Sequence, residues 1–120
     1  MARKNETTNG DLRTPVSFYT SQIQDGLDGR DIHYEKTFFT FGEVYNPSLK
    51  DMEIASGHGV KATLTVKIRD PLKAYMPQNT HFVEIHDSRL NGTKWSIVDI
   101  RPDFQERDFL VIVLGGDING

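Results

Sequence analysis

The sequence predicts an all-β fold: a small antiparallel β-barrel or sandwich of about six strands, with one short helix in an inter-strand loop. Three observations carry this. Val60 to Ile68 (VKATLTVKI) alternates apolar and polar residues with the period of a half-buried strand. Phe109 to Leu114 (FLVIVL) is an unbroken apolar run, as in a strand buried on both faces. Turn signals recur at short spacing between β-prone stretches, while a helical period occurs once.

The elements follow in chain order. Leu12 to Thr20 (LRTPVSFYT) is β-prone, and Pro15 suits a strand start or an edge. Gln24 to Asp31 (QDGLDGRD) carries two Asp-Gly-type turn signals and is expected as a surface loop. His33 to Tyr45 is an aromatic, β-branched strand with Gly42 as a bulge or bend. Asn46 to Gly59 (NPSLKDMEIASGHG) holds the one credible helix, about two turns long, capped by Asn46 or Ser48 and stopped by Gly57 and Gly59. Leu49, Met52 and Ala55 would form its apolar face.

In the strand 60–68, Val60, Ala62, Leu64, Val66 and Ile68 point inward, and Lys61, Thr63, Thr65 and Lys67 point to water. Asp70 to Asn79 is a two-proline loop. His81 to His86 is a short strand, and Asn91-Gly92 predicts a type I′ hairpin turn into the strand 93–100. Pro102 to Arg107 turns the chain into the last strand. Val83, Ile85, Ile97, Leu110 and Ile112 complete the expected core.

One domain accounts for 120 residues and 13.6 kDa. It spans residues 13–114, between flexible tails at 1–12 and 115–120. The N-terminal stretch lacks an apolar core of the signal-peptide kind, and no run reaches the roughly 20 apolar residues of a membrane span. The expectation is a soluble chain made in a cytoplasm. The absence of cysteine excludes disulfides, thiolate metal sites and a cysteine nucleophile. A net charge of −3 and a mean hydropathy of −0.49 describe a polar, mildly acidic chain, unlike a free-standing nucleic-acid binder.

Chemistry-bearing patterns are sparse. His81 and His86 face opposite sides of one strand, and His33 and His58 have no near partner, so no metal site is expected. Asp25, Asp28 and Asp31 lack calcium-loop spacing. There is no nucleophile elbow and no phosphate loop. The reading is therefore of no enzyme and no cofactor. Tyr34, Phe38, Phe39, Phe41 and Tyr45 could stack bases, but Lys36 is their lone cation and Glu35 and Glu43 oppose it; core or interface aromatics are favoured. Trp95 fills a core edge. Leu72, Tyr75 and Met76 sit on the proline loop and suggest a partner contact or a lid over the barrel end.

Taken in order, the aromatic strand running into FTFGEVYNPSLKDMEIASG, the alternating TLTVKIR, the segment HFVEIHDSRLNGTKWSIVDIRPD and the closing FLVIVL resemble the head–tail joining proteins of long-tailed bacteriophages, also called head-completion or stopper proteins. The resemblance covers roughly Arg13 to Leu114. The chain departs from the family in having Phe39 or Phe41 where a tryptophan is common, and in a longer, more polar N-terminus.

The resemblance implies a structural virion protein of the head–tail interface, assembled in the host bacterial cytoplasm. It implies a homo-oligomeric ring beneath portal and adaptor proteins that closes the DNA exit after packaging and docks a tail terminator protein. Packaged DNA would pass through without sequence-specific binding, and no membrane is involved. The isolated chain is expected as a monomer or weak oligomer. The channel-gating segment would be Asn46 to Gly59, with Asn46, Pro47, Gly57 and Gly59 as pivots and Leu49 and Met52 on its helix. The competing reading is a single-stranded nucleic-acid-binding, OB-like barrel.

Overall fold

The computed structural model describes residues 11–26, 29–57, 59, 61–90, 92–103 and 108–117. Six strands form the fold: β1 (Thr14–Gly26), β2 (Gly29–Tyr45), β3 (Ala62–Arg69), β4 (Phe82–Ile85), β5 (Lys94–Pro102) and β6 (Phe109–Asp117). One helix, α1 (Leu49–Gly57), joins β2 to β3. The strands close in the order β1-β2-β3-β6-β5-β4, every neighbouring pair antiparallel. The all-β expectation holds. Among the described residues no helix is long and apolar enough to cross a membrane.

Alternation fills the barrel. Val16 and Phe18, Val66 and Ile68, Val83 and Ile85, Trp95 and Ile97, and Ile112 and Leu114 form one buried cluster. Each pair occupies alternate positions of one strand and so shares a face. Leu64 and Leu110, expected inside, pack against this cluster while staying partly accessible.

The outer face of β6 is also buried. Val113 packs with Ala55 of α1 and with Ala62, and the half-buried Val98 joins them. This is why the FLVIVL run carries no polar alternation: the barrel covers one face, and on the other Val113 meets α1 while Phe109 lies under Lys67 and Arg69. Ala62 departs from the expected inward set because the β3–β6 register shifts between Ala62 and Leu64, turning Ala62 toward the helix. Thr65 and Lys67, expected in water, are buried on this same covered face.

The segment expected as a loop at Gln24 to Asp31 is largely strand. β1 and β2 stay paired from Thr14↔Gly42 out to Gly26↔Gly29. The turn signals hold only for the tip, and residues 27–28 lie outside the described residues. The irregularity in this hairpin falls between Phe18 and Tyr19, not at Gly42. Gly42 has a different reason to be glycine: a Cβ there would lie 2.9 Å from Val66 Cγ1 and 3.1 Å from the Lys67 carbonyl oxygen.

The β4–β5 connection also differs from expectation. Glu84 pairs with Lys94, so Ile85 to Thr93 all lie between the paired positions, far more than a two-residue I′ hairpin allows. A turn does close there, with the Thr93 N–H 3.4 Å from the Leu90 carbonyl and Gly92 at φ +86°. Asn91 lies outside the described residues, as do His58 and Val60. At the C-terminus, β6 runs past Leu114 to Asp117, so residues 115–117 belong to the sheet rather than to a tail. The stretch 1–10 is outside the described residues.

Candidate functional site

The segment Asn46 to Gly59 is built around Asp51. Ser48 caps the helix reciprocally: the Asp51 N–H donates to Ser48 Oγ at 3.1 Å, and the Ser48 N–H donates to Asp51 Oδ2 at 3.1 Å. Ser48 is thus the cap, and Pro47 precedes it. Thr65 Oγ1 donates to the same Asp51 oxygen at 3.0 Å, and Arg101 donates to Asp51 Oδ1 at 2.5 Å. Arg101 also reaches Asp99 at 3.2 Å. Asp51 is 2% exposed. Burial alone would raise its pKa, but the Ser48 N–H, Arg101 and Thr65 together hold it below the ordinary carboxylate value.

This anchor sets which helix face is free. Asp51 and Ala55 face the barrel, while Leu49 and Met52 are exposed at 79% and 46%. Of the three apolar residues at helical spacing, Ala55 packs on the barrel wall, while Leu49 and Met52 stand on the free face. Gly59 adopts φ +75°. The side of α1 that meets the barrel is set by Asp51 with its three partners rather than by Leu49 and Met52. The spacing Ser48-x-x-Asp51 was a legible capping signal; nothing near Arg101 marks it as the partner.

One end of the barrel is closed by Tyr75. Its ring stacks on Phe38 at 4.8 Å and meets Phe18 at 5.1 Å, and its hydroxyl lies 2.6 Å from His81 Nδ1. Burial pushes the Tyr75 hydroxyl up to about 12. The same loop holds Leu72 and Met76 in solvent at 74% and 72% exposure. Leu72 sits at φ +54°, a region that disfavours side chains other than glycine, with its N–H bound to Asp70 Oδ1 at 2.9 Å. The three residues thus divide: Tyr75 packs on the core, and Leu72 and Met76 stay exposed.

The mouth between the β2 and β4 ends is a cleft of about 410 Å³ lined by Val44, Leu64, Ile85 and Leu90, with Asp87 and Arg89 among its polar residues.

A third cluster lies outside β1 and β4. Ser17 Oγ is 2.7 Å from His86 Nε2, and His86 Nδ1 is 4.0 Å from Glu84 Oε2. The order serine–histidine–glutamate invites comparison with a nucleophile and its base. Here the serine is closed off from solvent, and Glu84 already accepts from Tyr19 at 2.8 Å and from the Gly92 N–H at 3.2 Å. Its work is to tie β1 to β4. Beside it, Phe39 and Phe41 stand about half-exposed, edge to face at 5.5 Å, with Lys36 Nζ 5.9 Å from the Phe39 ring. Of the five aromatics of this strand, Phe38 faces inward, and Phe39, Phe41 and Tyr45 are exposed.

No family model matches the chain, and no curated protein does. The solved structures that share its fold include the following two. The protein SF1141 from Shigella flexneri 2a is 18% identical, with a TM-score of 0.66 over 95% of this chain and all of that one. A chain from the virion of a native gene transfer agent particle is 12% identical, with a TM-score of 0.52 over 90% of this chain and 98% of that one. Both likenesses run almost end to end, so the fold is shared over nearly the whole of each chain.

Proposed function

We propose that the chain is a structural virion protein of the head–tail interface, a ring-forming stopper subunit that closes the DNA exit and offers the tail its docking surface. The observation that carries this reading is the fold match, over nearly the whole chain, to a component of a gene transfer agent virion. The order of strand motifs and the exposed apolar side chains on α1, on the proline loop and on β2 support it. Portal or adaptor proteins and a tail terminator are the partners in this reading.

The channel-facing part is the free face of α1, Leu49 and Met52. Asp51 and Ala55 hold that helix against the barrel wall, so the face is presented from a fixed base. Leu49→Ser combined with Met52→Ser keeps the anchor and tests the face alone. The expected result is heads that still recruit the protein yet leak DNA. Tight heads would remove these residues from the gate.

Location tests the wider reading. Image reconstruction of tailed particles, with the protein carrying a C-terminal tag, is expected to place tag density in a ring between head and tail. Density elsewhere, or none, would overturn it. The competing reading, an OB-like barrel that stacks single-stranded nucleic acid on Phe39 and Phe41, requires binding that weakens steeply with salt.

A further inference from the structure

The β1–β2 hairpin outruns the barrel. β4 pairs with β1 only from Val16 to Tyr19, and β3 pairs with β2 only from Gly42 to Tyr45. Beyond these contacts the two strands continue as partners of each other, through seven residue pairs from Thr20↔Glu35 to Gly26↔Gly29. At about 3.3 Å per residue this arm projects roughly 20 Å. Among the described residues, no strand pairs with the outer edge of β1 from Thr20 to Gly26, or with that of β2 from Gly29 to Phe41.

Open edges of this length are normally blunted, because their unpaired N–H and C=O groups template another strand. Proline is a common device, and none occurs from Thr20 to Phe41. An isolated two-stranded ribbon is also marginal in water. On the exposed β2 edge, Ile32 is 58% exposed and Phe39 and Phe41 about half.

We propose that the occupant of each edge is a second copy of this chain: the β2 edge of one arm pairs with the β1 edge of the next. The inference rests on the ring reading and specifies how the ring closes. Two features select this arrangement. First, the free edges belong to different strands. A two-fold dimer through β2 would cover one edge and leave the other open, whereas head-to-tail pairing covers both. Second, rotation about a ring axis keeps every arm pointing the same way. Since β1 and β2 run oppositely, each new pair is antiparallel, like every pair already in the barrel. The same rotation keeps heights along the axis, so Ser21 of one copy lies near the level of Tyr34 of its neighbour, displaced only by arm tilt.

The chain has no cysteine, so introduced cysteines report contact without background. Ser21→Cys protein is mixed in turn with Ile32→Cys, Tyr34→Cys and Lys36→Cys proteins and oxidised at high concentration. Thermal melts confirm that each variant folds. Electron micrographs of the unaltered protein, alone and added to heads lacking it, read ring formation separately. The expected result is a mixed disulfide at one of the three positions, well above any Ser21→Cys homodimer, together with rings. Rings with no mixed disulfide would overturn the arm pairing and leave the ring reading standing. A mixed disulfide without rings would support the pairing and overturn the ring. Dominant homodimers would overturn head-to-tail order, and neither product would overturn both.

Discussion

Asp51 is the residue on which the covered outer face depends. Its carboxylate is buried and meets Ser48, Thr65 and Arg101. Arg101→Met leaves it buried without its cation and is expected to cost about 2–4 kcal/mol in urea unfolding. Leu49→Ser, two residues away but exposed, is expected to stay within about 0.5 kcal/mol. Trp95 offers a sharper contrast. Its ring is buried, and its Nε1 has no acceptor among the described residues. Trp95→Phe removes that N–H and is expected to be far milder than Trp95→Ala, whose cavity costs about 3–5 kcal/mol.

Acid acts at this scale too. Burial holds His81 below its ordinary value of 6.5, so the unfolded chain takes up that proton first. Its contribution is complete above about pH 6.5 and is lost as pH falls below it. Asp51 and Glu84 are also depressed, net of opposing burial, so their contribution persists above the ordinary carboxylate range and disappears as pH falls through their folded values. Melting temperature is therefore expected to fall in two stages on acidification. His81→Asn is expected to flatten the upper one alone.

At the level of elements, the alternating and apolar strands were legible because burial writes a period into them. Val66, Ile68, Val83, Ile85, Ile97 and Ile112 are inside as their pattern implies. The errors share a cause: a long-range partner overrode a local signal. Thr65 and Lys67 look solvent-facing until α1 and the Asp103 carboxylate, 2.9 Å from Lys67 Nζ, cover them. The Asp-Gly signals near residue 25 mark only a hairpin tip, because β-pairing carries polar residues outward from a secure base at Val16 and Phe18. Asn91-Gly92 sits in a wider loop whose width is set by the Glu84↔Lys94 pairing. Gly42 reads as a bend in sequence and is a close approach in space. Gly42→Ala presses on Val66 and the Lys67 carbonyl and is expected to cost about 1–3 kcal/mol in chemical unfolding.

Across the whole molecule, the β1–β2 arm and the Leu72–Met76 loop leave one end of the barrel, the cleft opens at the other, and α1 lies along the outer wall. Fold class was readable from short-range periodicity, but these two ends were only partly so. Leu72 and Met76 stood out as large apolar residues in a proline loop, and they are indeed exposed. The arm was not legible as such, since what its free edges offer is unpaired backbone groups, which no side-chain pattern records. A subunit with separate exposed apolar groups on α1, on the proline loop and on β2 suits contact with more than one partner. The central claim is that a ring of such subunits closes a DNA-filled head and joins it to a tail. The direct measurement adds purified protein to DNA-filled heads made without it and follows nuclease-protected DNA and tail attachment together. Both are expected to rise with added protein and to saturate when the ring is complete. Heads that hold their DNA and accept tails equally well without the protein would contradict the account.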